Sequence, residues 1–164
     1  EALRLSDRMA VMNGGQIIQI GSPEEIANYP VNELVASFMG VETILTGKVI
    51  RRDGGTFIVS VEGQKIEAIG DARLGENMVL CIRPENVTLS THFSREPISA
   101  RNVFPGRIVR IIPLGFYQKV QLDCRFPLVA YVTNRSLEEL SLVEGKEVMA
   151  FFKVTAITVI KKAG

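Results

Sequence analysis

The chain has 164 residues, 46% hydrophobic and 23% charged, an ordinary globular composition that leaves disorder without support. Nineteen Lys and Arg against 18 Asp and Glu give a formal net charge of +1, so no global positive field exists to hold a nucleic-acid backbone. No apolar run reaches the roughly 20 residues of a membrane-crossing helix, and no signal-peptide pattern opens the chain.

Glu1 to Arg8 reads as the middle or end of a helix, and the lack of an initiator Met suggests a piece of something longer. Met9 to Met12 predicts a short apolar strand, Asn13-Gly14-Gly15 a hairpin turn, and Gln16 to Ile20 a second strand. Ser22 before Pro23-Glu24-Glu25 predicts a helix start, with an N-cap hydroxyl, Pro at the first helical position and acids in the first turn. Asn28-Tyr29-Pro30 breaks that helix. Val31 to Met39 predicts another, with Leu34, Val35 and Phe38 at helical spacing and Gly40 ending it.

From Val41 onward the pattern changes to short strands separated by turns such as Asp53-Gly54-Gly55, Glu62-Gly63 and Leu74-Gly75-Glu76, as in a small barrel. Polar Thr91 to Pro97 predicts a linker between two all-β units. These units look like repeats. Gly47-Lys48-Val49-Ile50 resembles Gly106-Arg107-Ile108-Val109, and a constant shift of 70 carries Gly75 to Arg83 onto Gly145 to Lys153 and Val87-Thr88-Leu89 onto Ile157-Thr158-Val159.

Cys81 and Cys124 lie in apolar stretches without CxxC spacing or a nearby His, which predicts buried, reduced thiols and no zinc site. His92, the sole histidine, falls in the linker and is expected to be solvated. A Ser-His-Asp or zinc arrangement has almost no material to work with. Phe57, Phe116, Tyr117, Phe126, Tyr131, Phe151 and Phe152 are expected in the core rather than on a base-stacking face.

Ser99-Ala100-Arg101-Asn102, Thr133-Asn134-Arg135-Ser136 and Lys153 supply hydroxyls, guanidinium and ammonium, the donors a tetrahedral oxyanion needs. Each element also has a plainer reading. The first could be the start of a strand with a solvated Arg, Ser136 could be a helix N-cap with Glu139 as its capping-box partner, and Lys153 could snorkel from a strand edge.

Residues 1 to 40, with Met9-Ala10-Val11-Met12-Asn13-Gly14-Gly15-Gln16-Ile17, Gly21-Ser22-Pro23-Glu24-Glu25 and Val35-Ala36-Ser37-Phe38-Met39-Gly40, resemble the end of the nucleotide-binding subunit of an ABC importer. The remainder is similar to the accessory β domains (TOBE type) that follow that ATPase core in importers of sugars, polyamines, sulfate, iron and molybdate. No GxxxxGK[ST] loop, metal-binding Asp after an apolar strand or LSGGQ-like signature is present, so this chain is expected to be no enzyme, with ATP and Mg belonging to an upstream parent domain.

Ser99 to Lys162 is similar to molybdate- and tungstate-binding (Mop-type) domains, which open on Ser-Ala-Arg-Asn, continue with a strand like Gly106-Arg107-Ile108, and place Thr-x-x-Ser before a Leu-x-x-Gly turn, here Leu142 to Gly145. They close on a strand holding a Lys. The resemblance implies an oxyanion site of Ser99, Arg101, Thr133, Ser136, Lys153 and the amide of Val154, formed between protomers of a homodimer, with no metal and no cofactor in this fragment. This sequence departs from the pattern at Val154 and Thr158, at Arg125 where a turn glycine is common, and at Phe116-Tyr117-Gln118.

The expected fold is mainly β: a short α/β remnant of an ABC ATPase domain (1–40) followed by two OB-like, TOBE/Mop-type β-barrel modules (41–92 and 98–162). The resemblance further implies a regulatory domain that binds molybdate or tungstate, with permease subunits as partners at the inner face of the cell membrane, a cytoplasmic location and no nucleic acid. The alternative is a non-sensing dimerisation domain of an importer for sugar, polyamine, sulfate or iron.

Overall fold

In a computed structural model, residues 2–5, 7–94 and 96–161 are described. Strands β1 (Ala2–Leu5), β2 (Arg8–Asn13) and β3 (Gln16–Gly21) form an antiparallel sheet, followed by helices α1 (Pro23–Asn28) and α2 (Glu33–Phe38). Ala2–Leu5 is thus a strand, not the helix expected over 1–8: it pairs with β2 in the register Ala2↔Val11 to Leu5↔Arg8. A segment too short for a stable helix gains more from the main-chain groups of a neighbouring strand than from helix propensity. Residues 1 and 6 of that expectation lie outside the described residues.

The helix start at Ser22 has the expected chemistry. Its hydroxyl accepts from the Glu25 amide at 3.1 Å, and the Glu25 carboxylate accepts from the Ser22 amide, a reciprocal capping box. Asn32 caps α2 from one side only, its Oδ1 accepting from the Val35 amide at 2.9 Å, so that helix begins after Asn32 rather than at Val31. Val35 is buried against Val11 and Ile26, and Ala36 against Val79 and Cys81, whereas Leu34 and Phe38 are exposed, because a six-residue helix buries only one narrow stripe.

Two five-stranded antiparallel sheets follow. Their strands are β4 (Thr43–Asp53), β5 (Thr56–Val61), β6 (Gln64–Ile69), β7 (Asn77–Ile82) and β8 (Thr88–Ser90), then β9 (Asn102–Pro113), β10 (Tyr117–Asp123), β11 (Pro127–Thr133), β12 (Glu147–Phe152) and β13 (Ile157–Lys161). A helix α3 (Asn134–Glu139) sits between β11 and β12, and short 3-10 turns cover Pro84–Asn86 and Val154–Ala156. One sheet has the order β13-β7-β4-β5-β6, the other β11-β10-β9-β12-β8. The last strand of each sequence repeat therefore belongs to the other repeat's sheet: Thr88–Ser90 pairs with Phe151–Met149, and Ile157–Lys161 with Ile82–Met78.

One contiguous core runs through both sheets, from Leu45, Phe57 and Leu80 to Phe104, Phe126 and Phe152. Phe104 meets Phe126 edge-on at 5.1 Å between centroids. β7 is buried on both faces: Met78, Leu80 and Ile82 enter that core, while Val79 and Cys81 pack with Ala36 and Val41 beneath α2. This double burial explains its unbroken apolar run.

The repeat glycines have a common steric cause. A Cβ on Gly47 would lie 2.2 Å from the Ser60 carbonyl oxygen, and one on Gly106 would lie 2.6 Å from the Cys124 sulfur. Both sit in long strands that bend across their neighbours with a register shift nearby, where only glycine allows the approach. Arg125 does adopt the glycine-like conformation its position demands, with φ of 71°. Its amide donates to Asp123 Oδ1 at 2.9 Å, which helps hold the turn.

Candidate functional site

Lys153 follows β12 and opens the Val154–Ala156 turn, and Ser99 lies in the irregular segment before β9. Both line one groove of about 610 Å³, with Ala100, Thr155, Thr88 and Glu85 among its other walls. Lys153 is exposed and has no ion-pair partner among the described residues. Glu85 is the adverse charge here, offset by Arg83 at 3.9 Å. Val154 is half-buried and does not line the groove; as the first residue of the turn its amide is one the turn does not use.

Arg101 also stands outside the groove lining, with its Nε donating to Glu67 Oε2 at 2.9 Å. Thr133 and Ser136 form a separate cluster. Thr133 is the N-cap of α3: its Oγ1 accepts from the Ser136 amide at 3.0 Å, and the two hydroxyls are 3.0 Å apart. The capping residue is therefore Thr133 rather than Ser136, and Glu139 pairs with Arg135 at 2.8 Å instead of closing a capping box. Ser99 with Lys153, and Thr133 with Ser136, are two half-sets of donors; neither member of the second half-set lines the groove of the first.

At matching positions the first repeat keeps one cation but not the hydroxyl of Ser99 or the guanidinium of Arg101. By the shift of 70, Arg83 stands for Lys153; by the shift of 59 between the repeat glycines, Gly40, Glu42 and Thr43 stand for Ser99, Arg101 and Asn102. The pairing supports the match, since Thr43 lies opposite Ile82 as Asn102 lies opposite Phe152. Arg83 Nη1 donates to the Met39 carbonyl at the end of α2, and a Cβ on Gly40 would sit 3.2 Å from that nitrogen. The end of α2 occupies the place that is an open groove beside Lys153.

Three structural roles carried no recognisable sequence signal, although Asn102 itself stands in the Ser99-Ala100-Arg101-Asn102 element. Asn102, 2% exposed, accepts from the Glu67 amide at 2.8 Å and donates to the Glu67 carbonyl at 2.9 Å, so its side chain continues the hydrogen bonding at the edge of β6. Thr43 does the matching work in the other repeat, accepting from the Val129 amide at 3.0 Å. Glu42 accepts from both Lys119 and Tyr131. Burial pushes the Glu42 carboxyl up, but these two donors outweigh it and hold it below the usual carboxylate range; the same hydrogen bond raises Tyr131.

The aromatic set divides. Phe57, Phe126 and Phe152 are buried, but Phe116 is 94% exposed at the β9–β10 hairpin tip and Tyr117 is also exposed, contrary to the core expectation. Their places at the tip put them beyond the two sheets' inner faces. Cys81 and Cys124 are buried and unpaired, and burial pushes their thiols up to about 11 and about 12. His92 is exposed. Among the described residues no helix is long and apolar enough to cross a membrane.

The TOBE domain model matches residues 98–159. The chain is 38% identical over 97% of its length to the molybdate/tungstate import ATP-binding protein WtpC of Pyrococcus abyssi and 37% identical over 97% to that of Pyrococcus horikoshii, covering 44% of each. It thus spans less than half the length of these relatives. It is also 38% identical, over 70% of its length and 31% of the relative, to the spermidine/putrescine import ATP-binding protein PotA of Trichormus variabilis. Among solved structures, the molybdate-bound form of the cytoplasmic molybdate-binding protein ModG superposes with a TM-score of 0.66 at 20% identity, covering 74% of this chain and 97% of ModG. At that identity the likeness speaks for the OB-like fold. The chain thus carries a TOBE domain and is similar, over nearly its whole length, to the C-terminal region of ABC importer ATP-binding subunits.

Proposed function

We propose that this chain is the accessory, non-catalytic region of a molybdate/tungstate importer's ATP-binding subunit, and that it binds molybdate or tungstate at the interface of a homodimer. The observation that carries this reading is the separation of the donors into two half-sets, Ser99 with Lys153 and Thr133 with Ser136. A second copy would bring one half-set to the other. Arg101 and the Val154 amide complete the donors.

Converging neutral donors with one or two cations suit a dianion, because charge is compensated without deep desolvation. Arg101 offers a planar fork and Lys153 a point charge. Residues 1–40 join the parent ATPase, whose permease partners place the chain at the inner face of the membrane, and division into 41–92 and 98–162 describes the sequence repeats. Regulation follows if the anion binds one arrangement of the paired domains more tightly than another, and only then.

Calorimetric titration of the chain with molybdate, tungstate and sulfate in parallel tests the reading. Molybdate and tungstate should bind, and Arg101→Ala combined with Lys153→Ala should abolish it. No binding by the unaltered chain, or equal binding by the double variant, would sink it.

A further inference from the structure

We infer that Glu67, from the first repeat, is the positioning residue for Arg101 in the oxyanion site of the second. This rests on the oxyanion reading above and adds to it a residue from outside the second repeat. Glu67 is fixed at both ends. Asn102, itself 2% exposed, bonds its amide and its carbonyl at 2.8 and 2.9 Å, and Arg101 bonds its carboxylate at 2.9 Å. Adjacent residues of one segment thus grip one residue of β6, one by its main chain and one by its side chain.

The geometry of the ion pair decides what it does. Glu67 contacts the guanidinium through Nε, so the terminal Nη pair has no protein partner among the described residues. An Arg held at Nε keeps its outer edge available for two oxygens of an anion, and less side-chain freedom is lost when the anion binds. The Glu67 side chain is 19% exposed and that of Arg101 65%, so the carboxylate is the half-buried anchor and the guanidinium the exposed arm. β6 also packs against the Val154–Ala156 turn that follows Lys153. One strand of the first repeat thereby backs both cations of the second.

The carboxylate also brings a negative charge towards a dianion. At an exposed guanidinium this repulsion is screened, and the far edge of the fork separates the two charges. Positioning outweighs it. The sequence shows why Glu67 is easily overlooked: it is an ordinary polar residue between buried Ile66 and Ala68 on an alternating strand.

The test is calorimetric titration of the full chain with molybdate, with thermal melting as the control for folding. Glu67→Ala should weaken binding by roughly tenfold, as loss of a supporting contact does at other ion sites, while Glu67→Gln, which keeps an acceptor for Nε, should stay within about threefold. Glu67→Asp keeps the charge but shortens the reach, and should also weaken binding. In an Arg101→Ala background, Glu67→Ala should cause no additional loss. Glu67 is instead a competitor if the Ala and Gln variants both bind more tightly, and irrelevant if the Ala and Asp variants bind like the unaltered chain; either result overturns the inference. Should Glu67→Ala melt early, the Asp and Gln pair still decides. Failure of the unaltered chain to bind molybdate, tungstate or sulfate would instead remove the oxyanion reading, and this inference with it.

Discussion

Arg83 and Lys153 hold the same place in the two repeats, yet Arg83 is bonded to the Met39 carbonyl at the end of α2 while Lys153 faces an open groove. A guanidinium with several donors suits a bond to main-chain oxygen, and an ammonium without an ion-pair partner, in a groove that Ser99 also lines, suits an incoming anion. The two sites predict opposite phenotypes. Arg83→Ala should leave molybdate affinity unchanged but speed amide exchange in α2, whose anchoring to the barrels it loosens. Lys153→Ala should weaken molybdate binding with a melting temperature unchanged within about 2 °C, as expected for an exposed side chain. Hydrogen exchange read beside titration separates them.

Asn102 and Thr43 tie each repeat to the outermost strand of the other repeat, through Glu67 and Val129 respectively. Both side chains are nearly fully buried, so truncation strands main-chain groups without water. Asn102→Ala should cost about 2–3 kcal/mol, since two buried hydrogen bonds are lost, and Thr43→Val about 1 kcal/mol, since one is lost and the shape is kept. Urea unfolding measures both. Equal costs, or none, would show that these groups find other partners.

How far the fold could be read from sequence depends on what each residue type encodes. Alternating burial of Phe57, Val59 and Val61 declares a strand and its inward face, and Gly47 with Gly106 marks a shared close approach. Alternation does not name the strand's neighbour, so the crossing of Thr88–Ser90 and Ile157–Lys161 to each other's repeat was not legible. For the site, donor chemistry picked out Ser99, Lys153, Thr133 and Ser136, but their separation into two clusters depends on tertiary placement. Glu67 and Glu42 act through partners 34 and 77 residues away, beyond any local pattern.

The Glu42 cluster gives a dependence on pH. Its carboxyl is lowered by Lys119 and Tyr131, so the folded state favours the ionised form more than the unfolded chain does. That contribution is present above the unfolded carboxyl value, near 4.5, and is lost as pH falls through the lower folded value. Glu42→Gln should therefore melt below the unaltered chain at pH 7, and the gap should close towards pH 3–4, on the order of the ordinary carboxylate range. A gap constant over that range would assign the loss to packing rather than charge.

The thiols give the opposite sign. Burial raises Cys81 to about 11 and Cys124 to about 12, above the ordinary 9.0, so the fold disfavours the thiolate. Their stability contribution is whole below the unfolded value and is lost as pH rises from about 9 towards the folded values. At pH 8 both should resist iodoacetamide in the folded chain and react readily in urea, because the thiolate is the nucleophile and is neither formed nor reached in the core. Fast labelling of either in the folded state would mean local opening of β7 or of the Asp123–Pro127 turn.

The split donor set makes a prediction that one-chain binding does not. Suppose one variant carries Lys153→Ala and another carries Thr133→Ala with Ser136→Ala; each homodimer lacks half the donors at both of its sites. In a mixed dimer, one site collects both defects and the other collects none. Mixing equal amounts should then restore molybdate binding to about a quarter of the normal capacity, since random exchange gives half mixed dimers with one intact site each of two. The affinity of that restored fraction should equal the normal one. If both donor groups served a site within one chain, mixing would restore nothing, and titration of the two variants separately and together tells the cases apart.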